Sequence, residues 1–410
     1  VAGGGFAGCA AALAAARAGR RVLLLEEGGA LGGAPAQNLV NPFMDWHTMV
    51  KQNGKLQRLD LSSGIFNEIY QHLAALGAAK GPVFHEEYLK LVLDRMLAKA
   101  GVTVLFHASV CQVKIAAGQL ESLQCATSAG LMPFFADYFI DCTGDADLAA
   151  FSGCPFRLGR PQDELCQPMT LCFRVVNVNT EVIDRAEINR LYQQARQTGR
   201  IQNPREDVLI FNTMVNGMVH FNSTRIIKRS PVDIFDVSIA EMEAREQMIE
   251  LLEYLKKEFA AFKNAQLATS AAYIGIRESR MIDGEYLLTE EDLKACVRFE
   301  DAIAAGNYDI DIHNPEGTGT SHYYFQPGEY YTIPYRSLVP QKATNLLVAG
   351  RCISATHEAQ ASIRIMPIVC TLGQAAGEAA ALAYETGSPV SGINTAALQN
   401  RLKQNGAFVG

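Results

Sequence analysis

The chain has 410 residues, more than one ordinary core accommodates, so two domains or one domain with a large insertion is expected. Apolar residues make up 49% and charged residues 19%, which excludes a disordered chain; a net charge of −7 argues against an extended nucleic-acid surface, whose phosphate contacts need clustered Lys and Arg. The ten Cys form no CxxC pair and sit in apolar or mixed contexts, which suggests buried thiols in a reducing, cytoplasmic compartment; the sequence opens straight on a glycine loop, so a longer native chain is expected, with a cleaved signal upstream left open.

Gly3-x-Gly5-x-x-Gly8 leads into an Ala-rich run from Cys9 to Ala18, which Gly19 closes as a helix C-cap. The apolar strand Arg21 to Leu25 follows and ends at Glu26 and Glu27, the first of them 18 residues after Gly8. Loop, helix, strand and acid in this order suit a dinucleotide. Gly3 allows a tight turn, Gly5 leaves room for a pyrophosphate, and Gly8 lets the helix pack close to the sheet. The helix start at Phe6 and Ala7 offers N–H groups and a partial positive charge to phosphates. Glu26 can accept hydrogen bonds from both ribose hydroxyls, and an acid there disfavours a 2′-phosphate, so FAD or NAD fits better than NADP.

A second glycine loop, Gly28-Gly29-x-Leu31-Gly32-Gly33, follows at once, where the chain must pass near the cofactor. Residues 85–100 read as a helix and 102–106 as a strand. Residues 108–139, with turns at Gly118 and Gly130, read as a β-meander over the adenine side. Tyr138 to Cys142 is an apolar strand ending in the turn Thr143-Gly144-Asp145, and Asn345 to Ala349 is another, ending at Gly350-Arg351. A small-residue helix from Pro367 to Tyr384 comes next, its start at Met366 and Ile368 pointing at the flavin C2 carbonyl and N1. An NAD dehydrogenase does not need this distant return; a flavin held along its whole length does, so FAD is the expected cofactor.

From Cys154 the composition turns more polar, with helices at Val182–Thr198 and Ser238–Lys263. The expected fold is α/β: a discontinuous Rossmann-like FAD-binding domain, residues 1–153 and 331–410, with an inserted α+β substrate domain, residues 154–330. Neither apolar stretch reads as a membrane span, because Arg17 ends Cys9–Ala16 while Arg364, Gln374 and Glu378 interrupt Ile363–Tyr384.

Four segments carry a family resemblance: Gly3 to Gly8, Ile274-Gly-Ile-Arg-Glu-Ser-Arg280, Ile333-Pro-Tyr-Arg-Ser-Leu-Val-Pro340 and Leu347 to His357. In these the chain resembles the FAD-dependent oxidoreductase family related to glutathione-reductase-like and fumarate-reductase-like flavoproteins. The resemblance covers nearly the whole chain and implies a glutathione-reductase-like FAD fold. It also implies that backbone groups at Val110 serve the adenine. Members are mostly of unknown substrate.

The flavin carries the redox step, so the protein must place a small-molecule substrate and move protons. Arg277 and Arg280 lie in a segment that is otherwise mostly apolar or small, with Glu278 between them. Arg277 is expected to be an anion clamp or proton donor, or else half of a structural Arg–Glu pair. Asp309-x-Asp311-x-His313 precedes a glycine-rich loop; His313 is expected to be an acid/base whose pKa the carboxylates raise, or a loop cap. Three such residues in a row along one strand are too regular for a closed metal shell, so no metal is expected. Arg336 either faces the same cavity or braces its turn, and His357 is either catalytic or a helix-side or ribityl contact.

Cys166 and Cys172 are too far apart for a flavin-coupled disulfide, and no second GxGxxG marks an NADPH domain. The electron partner is therefore the substrate itself, oxygen, a quinone or a protein. Two functions follow: an oxidoreductase exchanging a hydride between substrate and flavin N5, and a redox-neutral lyase or isomerase using FAD as scaffold or transient electron sink. A monooxygenase is disfavoured, because Gly350-Arg351 stands where that class places Gly-Asp. Oligomeric state has no signature in the sequence.

Overall fold

The computed structural model describes residues 1–52 and 54–410. Helix α1 (Phe6–Arg17) starts at the fourth residue of the first glycine motif and ends before Gly19, whose φ of 78° suits glycine. Strand β1 (Leu23–Leu25) follows, and the short helix α2 (Ala34–Gln37) begins after Gly33. Helix α3 (Glu86–Lys99) takes His85 as N-cap, its Nδ1 accepting from the Glu87 N–H at 3.3 Å. Strand β2 (Thr103–Leu105) then runs parallel to β1. The meander is β3 (Ser109–Ala116), β4 (Gln119–Thr127) and β5 (Gly130–Phe135), antiparallel throughout, and strand β6 (Phe139–Asp141) follows it.

The last FAD-side strand, β7 (Leu346–Val348), pairs in parallel with β6. Ala2 bridges in parallel to both Leu25 and Asp141, so the chain start is the central strand and the order is β2, β1, Val1–Gly3, β6, β7. Alternation puts Leu24, Ile140 and Leu347 on the helix side, in the cores that contain α1. Leu25, Phe139, Leu346 and Val348 face Leu120, Leu123 and Cys125 of the meander. The sheet is thus covered on both faces, as an all-parallel sheet requires. This is the expected α/β arrangement.

Two helices return the chain to α1: α4 (His357–Ile363) and α5 (Met366–Thr386). A Cβ on Gly373 would overlap the Ala7 backbone, and one on Gly377 would overlap Ala11 O, so glycine is what allows α5 to lie against α1. Among the described residues no single helix is long and apolar enough to cross a membrane; α4 and α5 pass that test only together, across a 94° bend.

A second core is formed by residues 169–274 together with Leu39. Its sheet orders four antiparallel strands, Ile210–Asn212, Val219–Phe221, Phe173–Val176 and Gln266–Ser270. Asp184 caps the helix Arg185–Gln197, and Asp233 caps the helix Ile234–Glu258. These caps start the helices three residues after Val182 and four before Ser238, the starts expected from composition. Residues 288–338 pack instead into the core that contains α5: Leu288, Leu293, Ile303, Ile310 and Tyr331 belong to it.

Candidate functional site

Four glycine-bearing turns from distant parts of the chain meet at one end of the parallel sheet. Gly3 has φ 90°, and a Cβ there would overlap Cys142 O, at the crossing of the first strand with β6. A Cβ on Gly8 would overlap Gly3 O, so glycine lets α1 start directly over the strand. Gly5 differs: its φ is −67°, and the nearest atom to an added Cβ is Gly33 Cα, 3.9 Å away. The second glycine loop lies against the first, with the Gly32 N–H donating to Gly4 O at 2.8 Å. No side chain caps α1 and no acid stands in its first turn, so its positive end is unscreened.

Glu26 ties the two loops together. Its carboxylate is 5% exposed and accepts from the Gly4 N–H at 2.6 Å, the Gly28 N–H at 2.7 Å and Gln37 Nε2 at 3.0 Å. Glu27, next in the chain, is exposed. Asp141, fully buried at the end of β6, accepts from the Thr143 N–H and hydroxyl; burial, opposed by these hydrogen bonds, pushes its pKa up to about 6. Asp145 receives Arg351 Nη2 at 2.7 Å and the Ser279 hydroxyl at 2.5 Å. Gly144 carries the Arg351 guanidinium, 2.5 Å from where a Cβ would stand. Gly350, at φ 114°, brings the end of β7 to Ala7, 3.6 Å from its own ideal Cβ. Val110 is half-buried on β3, while Met366 and Ile368 are buried at the start of α5, which also has no side-chain cap.

A second group, rich in charge, lies where the 169–274 unit meets α4 and α5. Arg277 is half-buried and donates to Pro168 O at 2.6 Å, Thr170 Oγ1 at 2.5 Å and Asn222 Oδ1 at 3.3 Å. Burial, followed by Arg364 and Arg205, pushes its pKa down to about 9. The segment is pinned on both sides: Asn38 Nδ2 donates to Ile274 O at 3.1 Å, and Gln360 Nε2 to Arg277 O at 2.8 Å. Arg225 Nη2 donates to His313 Nδ1 at 3.0 Å, and Arg364 Nη2 reaches Asp311 Oδ2 at 3.4 Å. Arg has no lone pair to offer, so His313 Nδ1 accepts and its Nε2–H faces Asp311 Oδ2 at 3.3 Å.

The carboxylates do not raise the His313 pKa. Burial and the Arg277 charge outweigh Asp311 and push it down to about 3, so the ring is a neutral link between Arg225 and Asp311. Glu278 pairs with neither of its arginine neighbours. It holds His357 Nδ1 at 2.7 Å and accepts the Gln167 N–H at 2.8 Å, while Arg280 goes to Asp147 at 2.7 Å. Burial depresses the His357 pKa, but the hydrogen bond and charge of Glu278 more than reverse this, and the net shift is upward. His357 lines a cavity of about 460 Å³ with Arg160, Ile312, Asn314 and Ser321. Asp311 and His313 alternate with Ile312 and Asn314 on the same strand and point the other way. Arg336 braces its turn: it grips Asp301 at 3.0 and 3.3 Å, lies over Tyr286, and keeps 46% of its side chain exposed.

The model of the family described as FAD dependent oxidoreductase matches residues 1–402. The chain belongs to this family. It is an FAD-dependent oxidoreductase, and FAD is its cofactor. No curated protein matches it in sequence. Among solved structures it is similar to a geranylgeranyl bacteriochlorophyll reductase-like protein of Thermoplasma acidophilum, at 12% identity and TM-score 0.48, covering 99% of this chain and 83% of that one. It is also similar to p-nitrophenol 4-monooxygenase of Pseudomonas putida, at 12% identity and TM-score 0.47, covering 98% and 82%. A third is the flavin-dependent brominase Bmp2, at 11% identity and TM-score 0.46, covering 98% and 81%.

For an FAD-dependent oxidoreductase the cradle is of the right kind. Gly5 presents a face that a Cβ would fill, beside an uncapped helix start and a buried acid. The turns at Gly3–Gly8, Gly33, Thr143–Asp145 and Gly350–Arg351 come together at one end of the sheet, and Arg277 and His313 share one charged group. His357 stands on the other side of the Asp311 strand, and Arg336 makes no hydrogen bond with any of these three. Arg205, Arg225 and Arg364 complete this group without belonging to any sequence motif. The signal for Arg364 was present: the one basic residue in the apolar run from Ile363 to Tyr384.

Proposed function

We propose that this enzyme transfers a hydride between a small organic substrate and flavin N5. The observation that carries the reading is the meeting of the four glycine turns on one end of the sheet around Gly5. Gly3, Gly5, Phe6, Ala7 and Gly8 would receive the diphosphate at the start of α1. Glu26 would face the ribose, with Glu27 and Val110 toward the adenine end. Gly33, Thr143, Gly144, Asp145, Gly350 and Arg351 would flank the middle of the cofactor. The N–H groups at Met366 and Ile368, at the positive end of α5, suit a flavin carbonyl. When bound, FAD supplies reversible hydride uptake at its ring.

The protein's own contribution is placement and proton handling. Arg277 is a fixed cation in the pinned segment between Asn38 and Gln360. Neutral His313 orients the arginines around it, and His357, fixed by Glu278, is the group with the raised pKa that suits proton exchange. Arg336 has a bracing role. The division into a cofactor domain at 1–153 and 331–410 and an insertion at 154–330 is kept as part of the proposal, with the insertion's own core at 169–274.

The test is anaerobic. Purified protein loaded with FAD is mixed with candidate small acids and alcohols, and flavin absorbance is followed. Bleaching at the rate of product formation supports the hydride reading; turnover with the flavin still oxidised favours the redox-neutral alternative. A chain that refuses FAD altogether refutes the cradle.

A further inference from the structure

The charged group around Arg277 is unbalanced. Asp207 answers Arg205 at 2.7 Å, Glu206 answers Arg225 at 3.2 Å, and Asp311 answers Arg364 at 3.4 Å. Arg277 donates only to neutral oxygens, and His313 contributes no charge. Among the described residues, one cation, Arg277, is therefore left without a counter-ion, an arrangement that costs free energy unless an anion joins it. The four arginines also differ in access. Arg205 and Arg225 are closed off at 4% and 1% exposure, whereas Arg277 is half-buried and the Arg364 side chain keeps 15%.

Among the described residues, two buried polar atoms beside this excess charge have no hydrogen-bond partner: Arg364 Nε, a donor, and Asp311 Oδ1, an acceptor that lies 3.8 Å from His322 Nε2. A ligand that satisfies both must bring an acceptor and a donor close together. We infer that Arg277 and Arg364 hold the carboxylate of a small organic acid, and that Asp311 Oδ1 receives a hydroxyl or amine of the same molecule. The single excess charge matches one carboxylate, and Asp311 would repel a second. The site's position supports its being the substrate site: Arg364 directly precedes Ile365, the N-cap of α5, and the Arg277 segment is tied through Asn38 to the chain just after α2. This inference rests on the hydride-transfer reading for its claim that the bound acid lies against the flavin.

The experiment uses the full chain loaded with FAD and four probes at matched ionic strength: glycolate, acetate, inorganic phosphate and chloride. Calorimetry reads binding, and the flavin spectrum reads proximity. Glycolate is expected to bind once per chain, more tightly than acetate, with phosphate and chloride weaker still, and to perturb the spectrum. Arg277→Gln and Arg364→Gln should each weaken glycolate by about tenfold or more, the loss expected for a charged hydrogen bond, with FAD content unchanged. Arg336→Gln, outside the group, should leave glycolate binding as it was.

Glycolate binding no better than chloride overturns the inference on the wild-type protein alone, whether or not the variants fold. So does undiminished binding in both glutamine variants, or phosphate preferred over glycolate. Binding without a spectral change overturns the placement against the flavin. Failure of the chain to take up FAD sinks the proposed function instead, and calorimetry on that protein still reads the carboxylate site.

Discussion

Gly5→Ala separates folding from cofactor binding. At φ −67° and ψ −176° an alanine is unstrained, and its methyl meets nothing closer than Gly33 Cα at 3.9 Å. The apo-protein should therefore gain about 0.4–1 kcal/mol, because alanine narrows the unfolded ensemble. The same methyl stands between the two glycine loops, where it would hold a diphosphate off the N–H groups that start α1. Losing two amide hydrogen bonds to a charged acceptor, at about 1.5–3 kcal/mol each, lowers FAD affinity by about 10²–10⁴-fold. Gly8→Ala is the counter-case. Its Cβ would overlap the backbone carbonyl of Gly3, which has no side chain to swing aside, so the fold itself should lose about 1–3 kcal/mol or more. The assay is the melting temperature of each apo-protein, with FAD titrated by fluorescence quenching. If Gly5→Ala binds FAD as the wild type does, or melts as early as Gly8→Ala, the assignment of the cradle to the diphosphate is wrong.

Glu26→Ala removes the acceptor of two backbone N–H groups and should cost about 1–3 kcal/mol per orphaned group as well as flavin retention; dialysis against buffer reads the second effect and melting the first. Acid should destabilise the fold between about pH 6.5 and 3. Burial, with Arg174 beside one ring and Arg277 beside the other, holds His220 and His313 near a pKa of 3, while the unfolded chain takes up their protons from 6.5 downward. A urea midpoint that stays flat across that range would refute the assignment. His357 has the opposite sign: its raised pKa contributes stability that is full below 6.5 and fades as pH rises through the folded-state value, and Glu278→Gln should abolish that alkaline loss. Arg336→Ala should change stability by no more than about 1 kcal/mol, since the ion pair is largely solvated, and should leave turnover intact; a collapse of turnover would restore it to the site.

The cofactor half was legible because its requirements are local. A turn of positive φ, a helix starting three residues later and an acid at a fixed distance are all set by neighbours in the chain, and Gly3, Gly8 and Glu26 stand where those rules put them. The meander and the parallel strands were readable for the same reason, each being a short apolar run closed by a turn. Helix ends in the 169–274 unit lie a few residues from the expected ones because Asp184 and Asp233 cap them, which composition alone overlooks. The charged group was not readable. Arg205, Arg225, Arg277 and Arg364 are separated by 20, 52 and 87 positions, and no periodicity relates them. The expected rise in the His313 pKa failed for that reason: Asp309 and Asp311 are near it in sequence, but burial and arginines distant in the chain decide the sign.

The four arginines come from distant parts of the chain that two separate cores bring together. Arg205 and Arg225 belong to the 169–274 unit, Arg277 lies just beyond it, and Arg364 sits at the elbow that joins α4 to α5. Asp311 and His313 stand between them, on a strand packed in the core that contains α5. The charged chamber therefore forms only when both cores are folded against each other, whereas the glycine turns need only the parallel sheet. Loosening the contact between the units, for example by disrupting the buried Arg174–Glu86 ion pair that joins the sheet of the 169–274 unit to α3, should spare FAD binding and weaken carboxylate binding. Equal loss of both would mean that cradle and chamber fold as one.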